Sequence, residues 1–363
     1  MSITRLFHRL DAVSAGLLLA CGLFAAGGRQ MAAQAVPAET PQLVLLDTDI
    51  GDDIDDAFAL ALVLQSPELK LLGITTAYGD TELRAKLVAR YLHATGRDEI
   101  PVSSGVQTPH DNVFTQAAYA KQSSAVLAGA CALRLVSVSQ IPIPKREQDR
   151  YDACEKESHD ASGFILRNAR EHPGEITLIA IGPLNNIEAA IKQDPETFRK
   201  LKRVVMMGGS IYRGYDGPNG ERNPPDAEWN ISRDPAGLRA LLASGVPVFM
   251  MPLDSTQIHL EPKGREEIFA HGSSLTDQLT LLYHQWNAGN DGRAASPTLY
   301  DPVAVAYAIR PDLCPATPLR LEVDDKGYTR PVEGAPNAEV CLKSDEKGFL
   351  ELLLGRILKD GAE

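Results

Sequence analysis

Apolar runs of strand length alternate with segments of helical periodicity along most of the chain. After residue 40, "LVLL" (43–46) precedes the helical pattern "DDAFALALVLQ" (55–65), and "LKLLGITT" (69–76) precedes "TELRAKLVARYLHATG" (81–96). Further apolar runs recur later, namely "EITLIAIG" (175–182), "VVMMGG" (204–209) and "VPVFMMP" (246–252). Strands that alternate with helices predict an α/β fold with a mostly parallel, Rossmann-like central sheet and helices on both faces.

Polar residues collect directly after the predicted strands. An acidic loop follows "LVLL", and Asp80, "GPLNN" (182–186), "MGG" (207–209) and "AEWN" (227–230) each follow a strand or lie in the loop after it. In parallel α/β sheets the ligand binds at the carboxyl ends of the strands. We therefore expect the active site at the C-terminal ends of the strands.

The first 35 residues have the layout of a secretory signal peptide. Arg5 and Arg9 precede the apolar run 12–26, and the triplet 33–35 (Ala-Gln-Ala) offers a cleavage site. We predict an exported protein, periplasmic or secreted, and the alternative is a lipoprotein anchored through Cys21. Residues 36–363 are predicted to form one α/β domain, in which the Pro-, Ser- and charge-rich segment 106–160 is an elaborated loop or a small subdomain.

Four cysteines follow the leader: Cys131, Cys154, Cys314 and Cys341. An exported chain lies in a compartment that permits disulfides, and three pairings are open. The pairing Cys131–Cys154 with Cys314–Cys341 is favoured because it closes two local loops. Unpaired thiols are the alternative, since Cys341 lies in the apolar run "AEVCL", where a small buried thiol also fits.

The composition limits the partners. The 363 residues are 44% hydrophobic, carry a formal net charge of −12 and contain no basic cluster. This charge balance argues against nucleic acid or an anionic membrane as a partner. The leader holds the only long apolar run, so no membrane insertion is expected after signal cleavage.

The acidic loop is the most unusual stretch of the chain. It places six carboxylates in ten positions without a Lys or Arg among them: Asp47, Asp49, Asp52, Asp53, Asp55 and Asp56. Like charges this close cannot all stay ionised at low cost, so a bound cation competes with a solvated loop as the explanation. An EF-hand is excluded, because counting from Asp47 puts Asp52 where Gly is required and Phe58 where an acid is required. A haloacid-dehalogenase-like phosphatase stays an alternative, although Gly51 replaces the Thr of its D-x-D-x-T motif.

The acidic loop also carries a family resemblance. "DTDIGDDIDDAFAL" (47–60) resembles the D-[TC]-D-x-G-x-D-D-A signature of the inosine–uridine nucleoside hydrolase family, with two extra residues before the Asp-Asp pair. Four more blocks match in the family's order, "ITLIAIGPLNNI" (176–187), "VVMMGGS" (204–210), "AEWNISRDPAG" (227–237) and "LYDPVAVAY" (299–307). The resemblance implies calcium-dependent hydrolysis of the N-glycosidic bond of a small-molecule ribonucleoside, giving ribose and free base. By analogy it also implies a homodimer or homotetramer.

The resemblance implies a role for each member of the acidic loop. Ca²⁺, which takes six to eight oxygen ligands, would be held by Asp49, Asp55, Asp56, Asp301 and the backbone carbonyl of Ile181. Asp49 would also be the general base of catalysis. Asp47 would orient the loop from behind the ligands. Asp52 and Asp53 form the two-residue insertion and are expected to lie outside the ligands of the metal.

A second group of residues would bind the substrate. Glu228, Asn230 and Asn223 would hold the ribose hydroxyls, because a diol needs short polar side chains around it. Asp80 stands where the family often has Asn and would add a contact, and Met207 would pack under the sugar.

The chain differs from many family members in the residue expected to assist departure of the base. Many members carry His before the last metal-ligating Asp, whereas this chain has Tyr300. The residue that assists departure of the base is therefore open among Tyr300, His284 and Trp286, whose indole suits stacking on a purine. Without the His, a non-catalytic nucleoside-binding protein of the same fold is a further alternative.

Overall fold

The described part of the computed structural model contains a nine-stranded central sheet. The structure describes residues 40–109, 114–121, 159–217, 220–292 and 296–359. Within them the strands are β1 (Gln42–Thr48), β2 (Leu69–Thr76), β3 (Val102–Ser104), β4 (Thr177–Ala180), β5 (Arg203–Met207), β6 (Val248–Met251), β7 (Ala316–Val323), β8 (Thr329–Val332) and β9 (Ala338–Cys341). Across the sheet they lie in the order β3-β2-β1-β4-β5-β6-β9-β7-β8. Strands β1 to β6 are parallel to their neighbours, β9 is parallel to β6, and β7 is antiparallel to both β8 and β9. The predicted mostly parallel α/β fold is confirmed, and its first six strands have the 3-2-1-4-5-6 order of a Rossmann sheet.

Helices occupy most of the connections between the strands. They are α1 (Asp55–Leu64), α2 (Thr81–Ala94), α3 (Ala117–Lys121), α4 (Ala161–Glu171), α5 (Asn185–Gln193), α6 (Pro195–Phe198), α7 (Trp229–Arg233), α8 (Pro235–Ala243), α9 (Leu253–Thr256), α10 (Pro262–His271), α11 (Ser274–Gly289), α12 (Pro302–Ile309) and α13 (Glu346–Ile357). A 3-10 turn spans Pro311–Leu313. Several helices begin at capping residues, among them α2, where the carboxylate of Asp80 accepts from the N–H of Leu83.

Alternate residues of each parallel strand enter two separate hydrophobic cores. In β1, Val44 and Leu46 pack into one core, and Leu45 packs into the other. The first core also contains α1, α2, α11, α12 and α13, and the second contains α4, α5 and α8. Because helices cover both faces of the sheet, both sets of strand side chains are apolar, which explains the unbroken apolar runs in the sequence.

The antiparallel part of the sheet was not foreseen from the sequence. Most side chains of β7 are partly or fully exposed, so its pattern is not that of a buried strand. A disulfide joins Cys314, just before β7, to Cys341 at the end of β9. This is the predicted pairing. The other predicted pairing, Cys131–Cys154, lies outside the described residues.

The described residues from Thr40 onward form one compact unit. The predicted signal peptide (1–35), the alternative anchor Cys21 and most of segment 106–160 lie outside the described residues. In the described part of the chain, no helix is long and apolar enough to cross a membrane.

Candidate active site

The carboxyl ends of the central strands open into a cavity of about 490 Å³. Its walls come from the loop after β1, the ends of β4 and β5, and the starts of α7 and α12. Most of the predicted site residues line it: Asp49, Asp55, Asp56, Ile181, Met207, Glu228, Asn230, Trp286, Tyr300 and Asp301. The sheet edge predicted to carry the site is therefore where these side chains meet.

Three carboxylates form a tight cluster at one end of the cavity, here called the acidic end. Asp55 and Asp56 are the first residues of α1, and Asp301 directly precedes α12. Their oxygens lie within 4.8 Å of one another, and all three residues are buried. The Asp301 backbone N–H donates to Asp55 (3.3 Å), and the Thr48 hydroxyl donates to Asp56 (2.5 Å). Both helix N-termini place partial positive charge near the cluster, which favours anionic side chains.

Burial and mutual repulsion make this cluster unstable as three bare anions. Burial raises the pKa of Asp55 and of Asp301 well above the usual range, and the neighbouring carboxylates raise both further. Burial raises the pKa of Asp56 to about 7 despite the hydrogen bond from Thr48. The cluster therefore calls for protons or a cation, and its all-oxygen donor set suits a hard divalent ion such as Ca²⁺.

Asp49 and Ile181 lie beside the cluster. Asp49 is 7% exposed and lines the cavity, although its carboxylate is not part of the group of three. Burial and then the charge of Asp56 raise the pKa of Asp49, whereas the Arg84 guanidinium lowers it. The carbonyl of Ile181 accepts from Nδ2 of Asn230 at 3.1 Å. Both residues are thus available as additional oxygen donors next to the cluster.

A buried arginine holds the acidic loop in place. Arg84 of α2 is fully buried and donates to the carbonyls of Asp49, Ile50 (3.0 Å) and Tyr78 (2.8 Å). Its guanidinium also lies 3.0 Å from the carboxylate of Asp52. The acidic loop contains no Lys or Arg, so the positive partner of Asp52 is Arg84 from α2.

The role of Arg84 was not recognised from the sequence, yet a signal was present. Arg84 stands three, four and seven positions before Leu87, Val88 and Tyr91, so it shares their apolar helical face. A lone cation on a buried face, next to a loop rich in carboxylates, indicates a buried ion pair.

Asp47 lies behind the acidic end rather than in the cavity. It is fully buried and accepts from the Thr75 hydroxyl (2.5 Å) and from Nδ2 of Asn186 (2.7 Å). Burial raises its pKa to about 6, and these two hydrogen bonds oppose the shift. Its position suits the predicted role of orienting the loop from behind.

The glycine of the loop is required by its surroundings. Gly51 has φ +129°, in the region that favours glycine, and a Cβ atom there would lie 1.9 Å from the ring of Phe114. Any side chain would therefore move the loop that carries Asp49 and Asp55.

The predicted ribose-binding residues Glu228 and Asn230 form another part of the cavity wall. Glu228 precedes α7, and its carboxylate accepts from the N–H groups of Gly209 (2.9 Å), Asn230 (2.9 Å) and Ile231 (3.2 Å). Nδ2 of Asn230 also lies 3.5 Å from Sδ of Met207. These hydrogen bonds fix the buried polar groups in one orientation, so they present a preformed polar wall.

Aromatic side chains form a further part of the cavity wall, here called the aromatic end. Trp286 of α11 and Tyr300 line it, together with Trp229 and Tyr215. The rings of Tyr215 and Tyr300 meet edge to face with centroids 6.1 Å apart. The Tyr215 hydroxyl accepts from the backbone N–H of Trp229 at 2.9 Å.

Two members of the aromatic end were not identified from the sequence. Trp229 stands between the two predicted ribose contacts in "AEWN", so its place in the motif was a usable signal. Tyr215 lies in a loop without periodicity, and nothing in its local sequence marks it.

Three predicted substrate contacts do not line the cavity. Asp80 is exposed and caps α2, with its carboxylate 3.0 Å from the Leu83 N–H. Asn223 is exposed and donates to the Tyr215 carbonyl at 2.8 Å. His284 is exposed on α11 and packs against the ring of Phe269, with centroids 5.5 Å apart. Capping of a helix, a loop contact and packing on an exposed helix position account for where these three side chains lie.

Comparisons with known proteins agree with this geometry. Residues 44–351 match the family described as inosine-uridine preferring nucleoside hydrolase. The chain is 29% identical over 332 residues to the pyrimidine-specific ribonucleoside hydrolase RihA of Citrobacter koseri, covering 86% of this chain and 97% of that protein. It is 28% identical over 338 residues to uridine nucleosidase 1 of Arabidopsis thaliana, covering 87% and 93%.

A solved structure is similar over nearly the same length. The plant nucleoside hydrolase PpNRh1 enzyme superposes with a TM-score of 0.68 at 25% identity, covering 88% of this chain and all of that one. The match to the family spans most of the chain and includes both the acidic end and the wall formed by Glu228 and Asn230. The chain therefore belongs to the inosine-uridine preferring nucleoside hydrolase family and is an N-ribohydrolase.

Proposed function

We propose that this protein hydrolyses the N-glycosidic bond of ribonucleosides and depends on Ca²⁺ held at the acidic end. The observation that carries the proposal is that one cavity joins the Asp55–Asp56–Asp301 cluster to the Glu228–Asn230 wall and to the aromatic end. A sugar with a planar leaving group needs these three surfaces. The names of the relatives, which include a pyrimidine-specific hydrolase and a uridine nucleosidase, support nucleosides as the substrates.

Different residues of the cavity would have different roles in the reaction. A divalent cation at the acidic end would supply positive charge that lowers the pKa of water. Asp49, a buried carboxylate beside the cluster, would accept a proton from the water whose oxygen adds to C1′ of the ribose. Glu228 and Asn230 would hold the ribose hydroxyls, and Trp286 and Tyr300 would pack on the base while it leaves and gains a proton.

We further infer that the protein is exported. The layout of the first 35 residues and the Cys314–Cys341 disulfide both support this inference, because disulfides persist in oxidising compartments. Assembly as a homodimer or homotetramer stays a prediction by analogy.

Base release from nucleosides tests the proposed activity. Purified protein is incubated with uridine, cytidine, inosine, guanosine or adenosine, and free base is measured by chromatography before and after treatment with EDTA. We expect base from at least one nucleoside, loss of that activity in EDTA, and recovery when Ca²⁺ is added in excess. Tight nucleoside binding without release would contradict the proposal in favour of a binding protein, and phosphate release from nucleotides would favour a phosphatase.

A further inference from the structure

The loop between β5 and α7 brings to the cavity a tyrosine that has no role in the proposed reaction. Tyr215 lines the cavity at the aromatic end. Its ring is held by Tyr300, which it meets edge to face with centroids 6.1 Å apart. The hydroxyl of Tyr215 is therefore the group whose purpose is open.

The backbone around Tyr215 is fixed by two side chains from other parts of the chain. Gln257, only 8% exposed, accepts from the N–H of Asp216 at 2.7 Å and donates to the carbonyl of Gly214 at 3.1 Å. Asn223 donates to the carbonyl of Tyr215 itself at 2.8 Å. The residues on both sides of Tyr215 are thus held, so its ring and hydroxyl have a defined position in the cavity wall.

The hydroxyl of Tyr215 lies at the start of α7. It accepts a hydrogen bond from the backbone N–H of Trp229, the first residue of this helix, at 2.9 Å. The next two N–H groups of α7, those of Asn230 and Ile231, are accepted by the carboxylate of Glu228 at 2.9 and 3.2 Å. The first N–H groups of a helix have no partner within it, so one phenol and one carboxylate together satisfy three of them.

The same hydroxyl limits what the carboxylate of Glu228 has to accept. Glu228 is 1% exposed, and its carboxylate also accepts from the N–H of Gly209 at 2.9 Å. Without the phenol, the N–H of Trp229 would compete for this carboxylate, because a donor left unpaired away from water costs free energy. Burial raises the pKa of Glu228, and hydrogen bonds from the backbone N–H groups and from the side chain of Tyr215 oppose that rise. The phenol therefore contacts both Trp229 and Glu228.

We infer that Tyr215 is a positioning residue of the substrate site, whose hydroxyl holds the start of α7 so that Glu228 and Asn230 keep the orientation in which they bind the ribose. This inference rests on the proposed function, since it concerns the same cavity and the same substrates. Tyr215 is not assigned as the acid that protonates the base, because burial raises the pKa of its phenol above the ordinary value of 10. Loss of the hydroxyl should weaken the binding of the sugar rather than slow cleavage of the bond.

The test separates binding of the sugar from the chemical step. KM and kcat are measured in saturating Ca²⁺ for the unchanged protein and Tyr215→Phe, on the best-cleaved nucleoside and on its 2′-, 3′- and 5′-deoxy analogues. We expect Tyr215→Phe to raise KM for the ribonucleoside about tenfold and to change kcat less than about threefold, the pattern of an interaction made equally in the ground state and the transition state. For at least one deoxy analogue KM should rise less than about threefold, since that analogue lacks the hydroxyl that Glu228 binds.

Tyr212 provides the matched control, because it lies in the same loop but is 59% exposed and is not among the residues that line the cavity. Tyr212→Phe should leave KM unchanged for all four substrates. A double-mutant cycle makes the comparison from the side of the protein: in the background of Glu228→Gln, Tyr215→Phe should raise KM less than about threefold. If Glu228→Gln does not fold, the deoxy series decides alone.

The opposite results would overturn the inference. An equal rise in KM for the ribonucleoside and all three analogues would show that Tyr215 only supports the fold, and an equal effect of Tyr212→Phe would show that the loop is sensitive as a whole. A fall in kcat with KM unchanged would place Tyr215 in the chemical step. If the unchanged protein releases no base, the proposed function fails, and the comparison is repeated on dissociation constants measured by calorimetry, where equal weakening for all four sugars overturns this inference. A protein that binds no nucleoside overturns both.

Discussion

The acidic end and the aromatic end of the cavity are built in different ways. The acidic end comes from residues at the boundaries of regular elements, where β1 gives way to α1 and where α12 begins. The aromatic end comes from side chains distant in sequence, Trp286 within α11 and Tyr215 and Tyr300 in loops. Two of the three carboxylates of the acidic end come from one short motif, whereas the aromatic end has no such motif and exists only once the chain has folded. On the proposed function, the acidic end would supply the chemistry of bond cleavage, while the aromatic end would adapt the cavity to the base.

The largest effect is expected from the residue assigned as general base. Asp49→Asn keeps the size of the side chain but removes its basicity, so kcat should fall by about a thousandfold or more. Asp52→Asn is the matched control within the same loop and should cost less than about tenfold, since Asp52 faces Arg84. Steady-state base release from uridine or inosine measures both. Comparable losses in the two variants would show that Asp49 has no special role.

Replacing the buried side chain of Arg84 should cause the largest loss of stability. Arg84→Met leaves Asp52 without its partner and three backbone carbonyls without a donor. We expect a loss of about 3–5 kcal/mol in the free energy of unfolding, the scale of breaking one side of a buried ion pair. Urea unfolding in saturating Ca²⁺ measures it.

A second arginine on α2 provides the control for Arg84. Arg90 donates to the Tyr119 carbonyl at 2.6 Å and packs over the Tyr119 ring, but it is only half-buried. Arg90→Met should therefore cost clearly less than Arg84→Met. Equal costs would mean that the acidic loop does not depend on its buried counter-charge.

The calcium-free protein should become less stable as the pH rises from 5 to 7.5. Burial raises the pKa of Asp47 to about 6 in the folded protein, above its usual value of 3.8. The folded state therefore holds this proton more tightly than the unfolded state, and the resulting stability is lost as the pH rises through about 6. The raised pKa values of Asp55 and Asp301 act in the same direction. We expect a loss on the order of 1–3 kcal/mol across this window.

Thermal unfolding in EDTA at several pH values measures this dependence. Asp47→Asn is the matched variant and should show a shallower fall of Tm, because its amide does not titrate. A Tm that increases steadily from pH 5 to 7.5 in the calcium-free protein would contradict the assignment of raised carboxyl pKa values.

The smallest effect is expected at Tyr300. Burial raises the pKa of its phenol above the ordinary value of 10, so it holds its proton too firmly to be an efficient acid near neutral pH. Tyr300→Phe keeps the ring that meets Tyr215 edge to face and should retain kcat/KM on nucleosides within about threefold. A hundredfold loss on nucleosides with normal cleavage of 4-nitrophenyl riboside would instead identify Tyr300 as the acid.

The sequence was sufficient to predict most of the fold, because burial on both faces leaves a strong pattern in parallel strands. The runs 43–46, 69–76 and 204–209 all became strands of the sheet core, whereas β7 has too few buried side chains to stand out. Side-chain direction was harder to predict. Asp80 and His284 have suitable chemistry and neighbouring positions in sequence, yet capping and helix geometry turn them away from the cavity.

The ten residues of the acidic loop also show that side-chain contacts are harder to predict than the presence of a site. Its charge predicted a site for a cation, and Asp55 and Asp56 meet Asp301 there, about 245 residues further along the chain. Its charge did not predict which carboxylates pair with protein groups. The partner of Asp52 is Arg84 of α2, whereas the carboxylate of Asp53 accepts from the N–H of the next residue, Ile54. The packing of α2 against the loop therefore decides which inserted residue gains a buried counter-charge.

A calcium titration that records binding and activity together tests the central claim most directly. Protein stripped with EDTA and then freed of chelator is titrated with Ca²⁺ in a calorimeter, and base release is measured at the same free Ca²⁺ concentrations, with Asp301→Asn as the control. We predict that activity rises from near zero in proportion to occupancy of one site, and that the control needs much more Ca²⁺ for both signals. Full base release without added Ca²⁺, or full occupancy without base release, would contradict the account of the acidic end.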